Sequence, residues 1–397
     1  MGIPNSSSIF LKPNRQEAVL RRHPWVFSGA IGHIEGTPAD GDLVQVCTHK
    51  GDFLALGHFY NGSIAVKIFS YEPTTPDAAF WQQKLQNART ARGIRHQPQA
   101  TNCYRLVHGE GDGLPGLVID LYDGVAVVQA HAIGMYRCLP QLVLALQAVY
   151  GDELRAIYNK SHETLPEEFA KNVQNGYLWG TCPVPHPVLE NGNTFLIDWE
   201  TGQKTGFFID QRDNRALLGH YAAGKRILNA FCYSGGFSVY ALAAGAAVVD
   251  SVDASKKAVE LVVRNIVANF GPDEPRHHAY AEDVMAFLRN TTEPYEVIIL
   301  DPPAYAKSIA KRHQAVQGYK RLNAEGMKHL KPNGLLFTFS CSQVVDQALF
   351  YNTVVAAALE VGRQVRVLHQ LTQAPDHPVN FFHPEGSYLK GLVLLVE

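Results

Sequence analysis

No CxxC pair occurs among the six cysteines, which stand at positions 47, 103, 138, 182, 232 and 341. Neither a zinc site of that spacing nor a dense disulfide framework is therefore indicated, and reduced thiols are expected. No run of about 18 uncharged apolar residues is present, so no membrane-spanning helix and no membrane partner are expected. The opening "MGIPNSSSIF" lacks the basic and apolar regions of a secretory signal, and the reading is of a soluble, cytoplasmic protein. Excess charge is missing too: 35 Lys+Arg face 37 Asp+Glu, a net charge of −2. That balance excludes a chain that coats nucleic acid through total charge, although a local basic groove would not show in it. Internal repeats and low-complexity tracts are absent.

What is present is 397 residues at 46% hydrophobic, enough for two or three domains with sizeable cores. Residues 1–72 carry short alternating segments punctuated by Gly and Asn, as in "GDLVQVCTHKGDFLALGHFYNGSIAVKIFS", and predict hairpins of a small β-barrel or sandwich. Within them "AVLRRHPWVFSGAIGHIEG" gathers Arg21, Arg22 and Trp25. Basic groups beside aromatics suit RNA backbone and base contacts, with Lys12 a further candidate, while a Trp25 committed to the core is the equally weighted alternative. "YEPTTPDAAF" reads as a linker into a helix, and residues 73–204 as a central α+β unit. Glu110 and Asp112 in its "HGEGDGLPG" fit a Gly/Asp-rich turn better than an acid/base pair or a metal site, and no metal is expected.

From residue 205 to 397 the pattern becomes strand, turn, helix, repeated, the mark of a parallel sheet covered by helices. "RILNAF" leads into the turn "CYSGG", "VVDSVD" ends at Asp253, "HHAYAED" at Asp283, "YEVIIL" at Asp301 and "LLFTFS" at Cys341. Ligands of an open α/β sheet bind outside such strand ends. One Asp there is an ordinary helix cap, but three behind a Gly-rich turn are more specific. Asp253 follows Gly235 at about the spacing at which an acid meets ribose hydroxyls. The turn is not GxGxxG, so the pyrophosphate cradle is lacking and a nicotinamide-dependent dehydrogenase is disfavoured. S-adenosylmethionine, with a ribose and no phosphate, fits better: Asp253 for the ribose, Asp283 for the adenine amino group, the turn for the methionyl end.

"ETGQKTGFFIDQRDNRALL", "ILNAFCYSGGFSVYAL", "LDPPAYAKS" and "FTFSCSQ", with "LRRHPWVFSGA" and "HPEGSYLKG", closely resemble the large-subunit ribosomal RNA cytosine-5 methyltransferase I family over essentially the whole chain. The resemblance implies an N-terminal PUA domain, a central α+β domain and a C-terminal Rossmann-like class I methyltransferase domain. It implies that Phe208, Asp210, Gln211 and Arg212 lie against S-adenosylmethionine, that the Phe231, Ser234 and Gly235 turn wraps it, and that Asp253 with Ala254, Asp283 with Val284, and Asp301 complete the pocket. RNA, with 23S ribosomal RNA as the expected substrate, is the implied partner, and a homodimer is allowed for. Two departures, "DPPAYAKS" where a Lys-Phe pair often follows the prolines and Ser234 where Thr is frequent, bear on the target base more than on the cofactor. Relatives on the same scaffold methylate guanine.

Cys341 now has a reason to stand at a strand end. Adding a thiolate to carbon 6 of cytosine converts the ring into an enamine able to attack a sulfonium methyl at carbon 5. A thiol near helix N-termini and a cationic sulfur is expected to have its pKa lowered from about 8.5. Asp301 of "DPP" shares a proton with ring nitrogen 3, and the prolines stiffen the loop against a flipped base. Cys232, inside the cofactor turn, reads as packing; Lys204 and Lys307 are candidates for the base that removes the carbon 5 proton. The expected activity is formation of 5-methylcytosine, with methylation of guanine or of another RNA, or a non-catalytic RNA-binding protein, as alternatives.

Overall fold

Alternating apolar residues close the N-terminal strands over one core. In this computed structural model, which describes residues 7–93, 100–306 and 308–397, six strands pair in the order Trp25–Phe27, Ile64–Ser70, Phe53–Phe59, Leu43–Cys47, Ser7–Leu11, Ile31–Glu35. All neighbours are antiparallel except Ser7–Leu11 with Leu43–Cys47. Ile9, Leu11, Val44, Val46, Val66 and Ile68 fill the core. The period of two puts every second side chain on that face.

The chain forms two compact units. The first holds Met1–Val188, Ile197–Ile209 and Pro375–Gly386; the second holds Leu189–Leu196, Asp210–Ala374 and Ser387–Glu397. In the first unit a second sheet runs Gly176–Gly180, Ala156–Asn159, Val125–Ala130, Leu117–Tyr122, Cys103–His108. Helices Ala78–Gly93 and Leu139–Tyr150 bury Trp81, Leu85, Leu142 and Leu146 against its Leu106, Leu117 and Ile119. The Trp81 indole N–H donates to Gln141 Oε1 (2.7 Å), so the largest core side chain is also satisfied as a polar group.

The second unit is a seven-stranded sheet in the order His277–Ala281, Val248–Asp253, Arg226–Ala230, Tyr295–Leu300, Leu330–Ser340, Lys390–Val396, Val365–Leu371. The first five are parallel, and Lys390–Val396 is antiparallel to both its neighbours. Strand order reverses at Arg226–Ala230, whose two neighbours feed opposite halves of the sheet. The crevice above that strand is where such a sheet binds ligands. A fully buried pair, Arg215 with Glu190 (2.8 and 2.7 Å), further ties helix Arg212–Ala222 into this unit. Among the described residues no helix is long and apolar enough to cross a membrane.

Candidate active site

The turn after Arg226–Ala230 is bent into a left-handed path by Phe231, Tyr233 and Gly235, with φ of 59°, 44° and 74°. Two non-glycine residues there are strained, and such strain persists only where the surroundings hold it. Here the Tyr233 amide donates to Asp253 Oδ2 (3.1 Å) and Asn265 Nδ2 donates to the Ser234 carbonyl (2.8 Å). Gly235 is required on two counts: its φ is positive, and a Cβ would meet Val262 Cγ1 at 2.9 Å. The turn leads directly into helix Gly236–Ala243.

Asp253 ends its strand half-buried, taking the Ser255 amide on its other oxygen (2.9 Å), with exposed Ala254 beside it. Asp283 caps helix Val284–Asn290 by accepting the Ala286 amide (2.9 Å), and Val284 is buried in the first turn. Each of these carboxylates keeps lone pairs beyond the bonds it makes to the backbone.

A network missed by the sequence joins the remaining groups. Gln211 Nε2 donates to Asp301 Oδ2 (3.0 Å), and Asn214 Nδ2 fixes the Gln211 amide by donating to its Oε1 (2.6 Å). The Tyr388 hydroxyl donates to Asp210 Oδ2 (2.6 Å), whereas buried Asp210 Oδ1 has no hydrogen-bond partner among the described residues. Burial, and then the Asp210 charge, push the Asp301 carboxyl up to about 7 against the pull of the Gln211 bond. A carboxyl of that pKa holds or releases a proton at neutral pH.

Cys341 follows Ser340, whose strand lies beside the one that ends at Leu300, next to Asp301. Ser342 Oγ donates to the Ala306 carbonyl (2.7 Å). Buried Lys390, opposite Ser340 in register, donates from Nζ to Ser342 O (2.8 Å) and Tyr388 O (2.7 Å). The lowered thiol pKa expected from sequence is overturned. Burial first, then the charges of Asp301 and Asp210, raise it to about 11. The nearby helix N-terminus offers no relief, because Asp346 already caps Gln347–Val361 by accepting the Leu349 amide. Lys390 is the cation that pulls the thiol down, and burial lowers its own pKa. Cys232 is 6% exposed, and burial raises its thiol pKa.

Residues 104–384 match the model of the S-adenosylmethionine-dependent methyltransferases, and residues 9–71 that of a PUA-like domain. A ribosomal RNA large subunit methyltransferase I of Aeromonas hydrophila is 39% identical over 396 residues, covering 98% of this chain and 99% of that one. One of Alteromonas mediterranea is 38% identical over 393 residues, 98% of each. The chain belongs to the ribosomal RNA large subunit methyltransferase I family. Its cofactor is S-adenosylmethionine, and its fold is a mixed α/β methyltransferase with an N-terminal PUA-like domain. Solved chains share that fold. A candidate S-adenosylmethionine-dependent methyltransferase from Streptococcus mutans superposes with a TM-score of 0.83 at 24% identity, covering 98% of this chain and 100% of its own. A candidate methyltransferase complexed with SAH gives 0.84 at 23%, with the same coverage.

The other expected residues of this methyltransferase fall as follows. Phe208 belongs to the first unit, and Arg212 opens helix Arg212–Ala222 beside Asp213 (3.6 Å). Lys12, Arg21 and Arg22 are exposed: Lys12 Nζ donates to Gly29 O (3.1 Å), Arg21 faces Glu17 (4.0 Å) and Arg22 lies over the Tyr71 ring (4.7 Å). Trp25 is half-buried and its indole N–H donates to Glu110 Oε1 (2.9 Å). Asp112 makes a paired contact with Arg92 (2.6 Å twice), so the "GEGD" acids hold structure together. Lys204 is an exposed residue of the first unit, and Lys307 lies outside the described residues. Tyr388 and Lys390 were the overlooked members. Their signal was the "GSYLKG" segment, whose strand returns antiparallel beside Cys341.

Proposed function

We propose that the chain forms 5-methylcytosine in RNA, with 23S ribosomal RNA as its substrate, through a transient bond between Cys341 and carbon 6 of the target base. The observation that carries this reading is the arrival of a thiol and a titratable carboxyl, Cys341 and Asp301, from the carboxyl ends of neighbouring parallel strands. Methylation of an exocyclic amine needs no thiol there.

The residues suit the cofactor. The strained Phe231–Gly235 turn, Asp253 and Asp283 offer backbone and carboxylate contacts to an uncharged nucleoside, and the unpartnered Asp210 Oδ1 favours a cation. When bound, S-adenosylmethionine supplies an electrophilic methyl on a positively charged sulfur. Asp301, near pH 7 in its titration, gives a proton to ring nitrogen 3 as Cys341 sulfur, its own proton first released to solvent, bonds as thiolate to carbon 6, which leaves carbon 5 nucleophilic. After methylation a base takes the carbon 5 proton, the electrons of that bond form the carbon 5–carbon 6 double bond and expel Cys341 as thiolate, and nitrogen 3 returns its proton to Asp301, which restores the aromatic ring. In this reading, with the chain divided as 1–72, 73–204 and 205–397, RNA affinity lies in the first part, through Lys12, Arg21 and Arg22, and chemistry in the last.

RNA containing 5-fluorocytosine tests it, because fluorine cannot leave as the proton does. The wild type forms a denaturation-resistant protein–RNA adduct, Cys341→Ala forms none and is inactive while still binding S-adenosylmethionine, and Cys232→Ala forms it normally. Full activity in Cys341→Ala would overturn the proposal and point to methylation of an amine, such as that of guanine.

A further inference from the structure

Within the first unit, two histidines from distant parts of the sequence meet beside Trp25. His383 is 3% exposed, and neither Nδ1 nor Nε2 has a hydrogen-bond partner among the described residues. A neutral imidazole carries one donor and one acceptor, and buried polar atoms with no partner at all need a physical explanation. Its ring packs edge-on against Trp25 (4.3 Å between centroids) and His23 (5.5 Å). Its Nε2 is 3.8 Å from Glu385 Oε2. One ligand atom from each of His23, His383 and Glu385 lies within 4.8 Å of the others.

We propose that His23, His383 and Glu385 form a site for a divalent transition-metal ion of the zinc type, built from two imidazoles and one carboxylate. Nitrogen and carboxylate oxygen are the donors that Zn²⁺ takes at about 2.0–2.2 Å. A tetrahedron of that size sets donors about 3.3–3.5 Å apart, so the present cluster closes by roughly an ångström. Glu385 can supply that movement, because its side chain is 58% exposed while the His383 ring is held on both sides. The Trp25 backbone orients the His23 ring, whose Nδ1 is 3.3 Å from the Trp25 carbonyl and 3.2 Å from the Trp25 amide nitrogen. The Trp25 amide donates to Nδ1 here; binding an ion through Nε2 moves the ring proton to Nδ1, which then donates to the Trp25 carbonyl instead, the usual outer support of a metal-bound histidine. A second negative charge stands close by, since Glu110 receives the Trp25 indole N–H. Three protein ligands leave a fourth position for water. The ion ties segment Pro375–Gly386 to the residues before strand Trp25–Phe27, a structural role separate from methyl transfer.

The test uses the full-length protein, stripped with a chelator, desalted and titrated with Zn²⁺ by calorimetry, with bound metal counted by plasma mass spectrometry. One ion per chain is expected, together with a higher melting temperature on adding the metal. His383→Phe keeps a ring against Trp25 but offers no nitrogen, and should weaken binding at least 100-fold. Glu385→Gln, at an exposed position that folding tolerates, should weaken it about 10- to 100-fold. Absence of zinc binding by the wild type would overturn the proposal. So would binding that is unchanged in Glu385→Gln or in a folded His383→Phe, which would assign the ion to other side chains such as the free cysteines.

Discussion

The titration of Cys341 is where the site's charges can be measured one at a time. Its thiol sits at about 11 against an ordinary 9.0, so at pH 8 about one molecule in a thousand carries the thiolate. Burial is the leading cause and the Asp301 charge the second, so removing that charge lowers the thiol pKa while burial still holds it up. Asp301→Asn should therefore increase the thiolate fraction at pH 8 about three- to tenfold. Lys390→Met removes the cation that opposes the rise and should decrease it. The assay is the rate of iodoacetamide alkylation at Cys341, read by peptide mass spectrometry because all six cysteines are free thiols. The expected order at pH 8 is Asp301→Asn, wild type, Lys390→Met. A second signature follows from the carboxyl's own pKa of about 7. Below it Asp301 is neutral in the wild type as well, so the advantage of Asp301→Asn should vanish by about pH 5.5. Equal or slower alkylation of Asp301→Asn at pH 8, or an advantage that persists at pH 5.5, would refute the reasoning.

Asp253→Ala should weaken S-adenosylmethionine binding by about 1–3 kcal/mol through lost charge-assisted hydrogen bonds, measured by calorimetry; tight NAD binding with none for S-adenosylmethionine would contradict the cofactor assignment. Replacing Lys12, Arg21 and Arg22 together with Gln should weaken RNA binding across sequences and flatten the plot of log affinity against log salt by a slope of about 2; an unchanged slope would return these residues to ordinary surface. Asp301 also shapes stability. Its folded pKa of about 7 lies above the ordinary 3.8, so the favourable contribution present below pH 3.8 is lost as pH rises through 7. Asp301→Asn should gain stability relative to wild type over that interval, by at most about 4 kcal/mol, in urea melts at stepped pH.

The strand-end positions of Asp253, Asp283, Asp301 and Cys341 were legible because each lies immediately after an apolar run or beside a turn, and the placement rule for parallel sheets needs only local sequence. The fold followed from the same periodicity. What the sequence could not convey was how these groups are partnered. Asp210 and Tyr388 are 178 residues apart, and Trp25 and Glu110 are 85 apart. No periodicity links such pairs, so the Asp210–Tyr388 and Gln211–Asp301 contacts went unseen. That is why the thiol was expected to be acidic. A helix N-terminus and a cationic cofactor were counted, whereas the carboxylates that gather around the same crevice were not.

The resulting arrangement is still chemically coherent. Carboxylates that suit a cationic methyl donor necessarily disfavour a thiolate beside them, so a single patch of negative charge cannot serve both groups at rest. The intrinsic reactivity of a thiolate rises with its pKa, so the rare ionised Cys341 is a stronger nucleophile than an acidic cysteine would be. A protonated resting thiol also resists oxidation, which proceeds through the thiolate. On this argument the proton on Cys341 leaves more readily when the crevice gains positive charge, and alkylation of Cys341 at pH 8 should be faster in the presence of the sulfonium cofactor than in the presence of its uncharged demethylated product.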